Sequence, residues 1–139
     1  MGLDMYAYAR PPRKRNSDED VSICEWRKHN RLQGWMSDLW EAKGCPNRKD
    51  EGNEFGDFNC VELPLTRADL YALQDDILNF ELPESNGFFW GSDSYFWTDE
   101  NDKPYPDNEY YYKEQDLNFV AEAHKMLDKG YRVFYSCWY

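Results

Sequence analysis

Leu3, Met5 and Ala7 alternate with Asp4, Tyr6 and Tyr8 near the start of the chain, the two-residue period of a strand with one face on a core. Pro11 and Pro12 end this strand, Leu3–Ala9, and the charged stretch Arg13–Asp20 offers no core residue, which predicts a mobile loop. From about Cys24 to Lys43 the period becomes helical. Leu32, Trp35, Met36, Leu39 and Trp40 recur three and four apart, and Gly44 stands where a glycine closes a helix. Gly34 weakens the centre of that helix by up to about 1 kcal/mol relative to alanine, so packing has to hold it.

Residues 45–59 are polar, contain Gly52 and Gly56, and read as a long loop; Cys60–Leu63 reads as a short strand stopped by Pro64. A second helix begins where Thr66 stands three residues before Asp69, a relative of the capping box, and continues through Leu70, Leu73, Ile77 and Phe80. Residues 84–116 differ in character, with ten aromatics, nine acids and two lysines. Within them Phe88–Trp90 and Tyr95–Trp97 flank Gly91-Ser92-Asp93-Ser94 as the strands of a hairpin would.

A third helix is predicted from Lys113 to about Lys129, with Leu117, Val120, Ala121, His124 and Leu127 on its buried stripe and Gly130 closing it. Tyr131–Tyr139 alternates but has little polar surface on either side, which predicts a central strand able to pair with the first. The fold class is therefore α+β. A single domain over residues 1–139 is expected, three helices packed on an antiparallel or mixed sheet that contains both terminal strands. Mobile loops are expected near 11–21, 45–59 and 99–108.

Composition narrows the function classes. The 139 residues are 41% apolar and 18% aromatic, enough for one core and too rich in rings for a disordered chain. The net charge is −11, divided between a basic part, residues 1–49 at +3, and an acidic part, residues 50–139 at −14. An acidic body repels phosphate backbones, which argues against a nucleic-acid partner. No apolar run reaches the roughly 18 to 20 residues that span a bilayer, so no membrane partner is expected. Asp4 in the first apolar stretch, with basic residues after it, is the reverse of a secretory leader, and a cytoplasmic location is expected.

Chemistry-bearing signals are sparse. Neither a nucleotide-binding glycine pattern nor H-E-x-x-H nor G-x-S-x-G occurs. Asp99, Asn101 and Lys103 open like a calcium loop, but lysine takes a ligand position and Pro104 the turn glycine's place. Cys24, His29, Cys45 and Cys60 form a conceivable zinc set, but Cys24 and His29 are poorly spaced for one helical face. The reading is therefore reduced thiols, no metal and no cofactor. His29 reads as an exposed helix residue and His124 as a hydrogen-bonded core or boundary residue. Asp4, set among apolar strand residues, calls for an ion-pair partner such as Arg27, Lys28 or Arg132.

Four stretches together resemble a group of small uncharacterised proteins of bacteriophages and prophages. They are Met1-Gly2-Leu3-Asp4-Met5-Tyr6, Trp26-Arg27-Lys28-His29-Asn30, Gly87-Phe88-Phe89-Trp90-Gly91-Ser92 and Phe134-Tyr135-Ser136-Cys137-Trp138. Family members more often end in a Ser-Ser-Trp-like sequence, so Cys137 is a departure. The resemblance implies a phage origin and a life in the bacterial cytoplasm, and it carries no catalytic residue with it.

The leading expectation is a small acidic accessory protein that binds a host or antiviral-defence protein, as an inhibitor or modulator; whether it is also an enzyme the sequence leaves open, leaning against. The candidate binding residues are Asp4, Trp26, Arg27, Lys28, Trp90, Ser92, Tyr95 and Trp97. A rival expectation is a small-molecule or nucleotide-binding protein, or a small enzyme, with its site near Asp4, Trp26, Arg27, Lys28 and Trp90. A third is a DNA mimic whose acids stand in for phosphates.

Overall fold

The computed structural model describes residues 2–13, 19–48, 58–83 and 110–139. Alternation at the amino end produces strand β1 (Asp4–Arg10), with Leu3, Met5, Ala7 and Ala9 all buried. Strand β2 (Val21–Arg27) follows, then helix α1 (Asn30–Ala42), strand β3 (Leu63–Leu65), helix α2 (Arg67–Leu78), helix α3 (Lys113–Asp128) and strand β4 (Arg132–Trp138). The sheet order is β2-β1-β4-β3, antiparallel throughout, so both terminal strands lie at its centre. The α+β class and the pairing of the two ends are as the sequence implies.

Three elements differ from the sequence reading. Strand β2 occupies the start of what reads as a helix, and α1 begins at Asn30, not near Cys24. β2 hides its period because it is an edge strand, with Trp26 its one buried side chain, and because a bulge opposite Ala7/Tyr8 shifts its register. β3 includes Pro64, which reads as a stop; on an edge strand the missing N–H has no ladder partner to lose. On α3 the core side is Asp116, Phe119, Val120 and Ala123, while Ala121 is exposed and Leu117, His124 and Leu127 are half-buried. The predicted stripe is thus rotated about the helix, because a buried Asp116 does not register as apolar.

Helix ends follow local chemistry. Thr66 caps α2 with a complete capping box, its hydroxyl accepting from the Asp69 N–H at 3.2 Å while the Asp69 carboxylate accepts from the Thr66 N–H at 2.8 Å. Gly44 and Gly130 follow α1 and α3 at φ +84° and +83°, the left-handed conformation that glycine adopts without penalty.

One face of the sheet carries the helices. Trp26 sets its ring edge-on to Phe119 of α3 at 5.1 Å. The fully buried Tyr135 of β4 donates its hydroxyl to Gln33 of α1, and Gln33 donates to the Cys137 sulfur at 3.3 Å. Leu32, Met36, Leu70, Leu73 and Ile77 fill the space between, each stabilising by roughly 1.5–3 kcal/mol on full burial. No helix of the described residues is long and apolar enough to cross a membrane.

Candidate functional site

Because side chains alternate across a strand, the register places a second set of residues on the face opposite the helices. Arg27, Asp4 and Trp138 stand side by side across β2, β1 and β4; Glu25, Tyr6 and Ser136 form the next row, and Ser22, Tyr8 and Phe134 the third. In the first two rows Trp138 is 57% exposed and Tyr6 38% exposed. Asp4 is half-buried, and Arg27 Nε stands 3.9 Å from its carboxylate. Burial, and after it the neighbouring Asp4 and Glu25 carboxylates, raise the Tyr6 phenol above its ordinary pKa. This open end therefore presents two large rings among charges of both signs.

The far end of the same face is closed by its own side chains. Arg10 is only 5% exposed and grips Asp20 through two bonds, Nε at 2.9 Å and Nη2 at 3.0 Å, while Nη2 also reaches Glu62 at 2.7 Å. Tyr8 donates to Glu62 and stacks on Phe134, over which the Arg10 guanidinium lies at 4.7 Å. Burial, with the Glu62 bond behind it, raises the Tyr8 phenol far above its ordinary value. Beside this cluster lies a cleft of about 580 Å³ lined by Arg10, Glu62, Thr66, Leu127, Arg132 and Phe134 among others. A smaller one of about 350 Å³ lies between β2 and α3, around Cys24, Gln115 and Glu122.

A third polar cluster sits inside the fold. Asp116 is fully buried and accepts three bonds: Trp26 Nε1 at 2.9 Å, His29 Nε2 at 2.7 Å and the Tyr110 hydroxyl at 2.6 Å. His29 also stacks on Tyr112 at 4.3 Å. A histidine against a carboxylate has the residue types of an acid–base couple. Here its geometry joins β2, the start of α1 and α3, and each of these three Asp116 contacts is internal to the fold. The expectation of an exposed His29 is corrected: it is 2% exposed and precedes α1, where a left-handed turn at Lys28 (φ 58°) redirects the chain inward. His124 is half-buried as expected, with Nδ1 3.1 Å from Arg67 Nη1.

Among the sequence candidates, Asp4 and Arg27 come together on the open face, and Lys28 is exposed at the end of β2. Trp26 does not join them, since its ring is 4% exposed on the helix side. Trp90, Ser92, Tyr95 and Trp97, the hairpin proposed around them, and the calcium-like stretch from Asp99 to Pro104 lie outside the described residues. Cys24, Cys45, Cys60 and Cys137 are free thiols, and among the described residues no group of three or more His, Cys, Asp or Glu is placed to hold a metal ion. Sequence reasoning missed Tyr6 and Trp138 as surface residues. The strand alternation already put Tyr6 on the face of Asp4, but nothing local showed that the face would stay open.

Comparisons with family models, with curated proteins and with solved structures return no match.

Proposed function

We propose that this chain is a protein-binding accessory protein of phage origin, acting in the bacterial cytoplasm on a basic host or antiviral-defence protein, and that it docks through the open end of its sheet. The observation that carries this reading is the diagonal placement of Trp138, 57% exposed, and Tyr6, 38% exposed, on adjacent strands. Exposed Trp and Tyr with charged neighbours are the anchors and rim of a protein interface. A chain of net charge −11 steers a basic partner towards them. A pure DNA mimic is less well supported, because rings and Arg27 interrupt the acids on this face.

The test is capture from a bacterial lysate by the tagged protein and by a Tyr6→Ala/Trp138→Ala variant whose circular dichroism matches wild type. One protein retained by wild type through a wash of about 0.5 M salt, and lost by the variant, is the expected result. Equal retention by both, or nothing retained at that salt, overturns the reading.

The cleft beside Arg10 favours a second reading, a small-molecule binder. Its mixed lining of Leu127 and Phe134 with Arg132 and Glu62 has the composition of a ligand site. A metabolite panel at millimolar concentration raises the melting temperature if this reading holds, and Arg132→Ala abolishes that rise.

A further inference from the structure

We infer that the partner seats a lysine or arginine side chain on the open face, against the Tyr6 and Trp138 rings and beside the Asp4 and Glu25 carboxylates. The inference rests on the protein-binding reading of the same face and names the chemistry of the occupant.

The register assembles the parts. Asp4 is the direct neighbour of Trp138 on β4, and Tyr6 is the direct neighbour of Glu25 on β2. Tyr6 and Trp138 are diagonal neighbours across β1 and β4, a relation that holds Cα atoms roughly 7–8 Å apart and lets large side chains flank one occupant. Each ring thus has a carboxylate at its side. Burial first, and after it the Asp4 and Glu25 carboxylates, raise the Tyr6 pKa, so both acids act at the ring. A ring face attracts a cation through its quadrupole, and a carboxylate within reach adds a charged hydrogen bond.

The chain already supplies a partial occupant. Arg27, 76% exposed along its side chain, rests 3.9 Å from Asp4, a loose contact in a high-dielectric setting. A partner's cation competes with Arg27 for Asp4 and gains the rings as well. This predicts an inverse effect: removing Arg27 strengthens binding of a basic partner, and more than removing its exposed neighbour Lys28, because Arg27 is the side chain that stands at Asp4.

The probe is an acetylated, amidated glycine-rich peptide carrying two lysines and two arginines, titrated into the full isotope-labelled chain and followed by amide NMR shifts. Shifts centred on Asp4, Tyr6 and Trp138 are expected. Asp4→Asn and Trp138→Leu, which keeps apolar bulk but removes the π face, each weaken binding by about three- to fivefold. Arg27→Gln tightens it by about twofold or more, and Lys28→Gln by less.

Equal affinity in wild type and Trp138→Leu, equal gains from Arg27→Gln and Lys28→Gln, or equal binding of a glutamate-substituted peptide each overturns the inference. If a captured protein is lost by the Tyr6→Ala/Trp138→Ala variant while the peptide shows none of these effects, the docking reading stands and the cationic occupant alone falls. If neither holds, both fall.

Discussion

Asp116 is a fully buried carboxylate that joins separate parts of the chain. Three donors from three parts of the chain meet on its carboxylate. Truncating it takes the acceptor away from the buried ring N–H groups of Trp26 and His29, and each unmet group is costly. Asp116→Ala is expected to destabilise the fold by about 3–5 kcal/mol, read from urea denaturation; a loss under about 1 kcal/mol would show that the cluster is dispensable. His124 gives a pH-dependent counterpart. Burial, and after it the Arg67 charge, lower its pKa in the folded chain below the ordinary 6.5. The unfolded chain therefore takes up the proton first. The stability this histidine confers is complete above about pH 6.5 and is lost as pH falls through that value towards the lowered folded one. Denaturation midpoints at pH 7.5 and 5.5 should differ more for wild type than for His124→Gln, and an equal difference would remove His124 as the cause.

At the scale of elements, the two edge strands are blunted by side chains from elsewhere. The Lys28 N–H bonds to Leu3 O, so by antiparallel alternation Glu25 and Arg27 turn their backbone groups away from β1. Gln115 donates to Glu25 O at 2.6 Å and Tyr112 to Arg27 O, both from the region of α3. On the other edge, Lys43 donates to Pro64 O at 2.6 Å and Asn47 to Glu62 O at 2.9 Å. Unpaired strand edges recruit other strands. A Tyr112→Phe/Gln115→Ala variant should therefore self-associate more than wild type at equal concentration in sedimentation velocity. Unchanged sedimentation would mean these two donors do not protect the edge.

Elements also differ in how far they could be read in advance. Helix α2 was legible because its cap lies within four residues and Leu70, Leu73 and Ile77 repeat cleanly. Strand β2 was not, because Glu25 and Arg27 beside Trp26 look like a polar helix face. What makes them a strand is pairing with β1, some twenty residues earlier in the chain.

For the whole molecule, charge and topology act together. The sheet ends on an open face beside Trp138 in a chain of net charge −11, so the proposed docking predicts association with a basic partner that is faster at low salt than at high salt. The fold class, the strand character of both termini, the capped start of α2 and the glycine closures at Gly44 and Gly130 followed from the sequence alone. Each depends on periodicity or on contacts within one turn of chain. The tertiary structure decided the strand at Val21–Arg27, the burial of His29, the division of Trp26 from Asp4 and Arg27, and the exposure of Trp138. Those outcomes depend on residues brought from far away: His29 meets Asp116 across 87 positions, and Trp26 meets it across 90. A local pattern records how a segment divides apolar from polar side chains. It does not record which distant carboxylate will meet a buried ring, or which face the helices will leave uncovered.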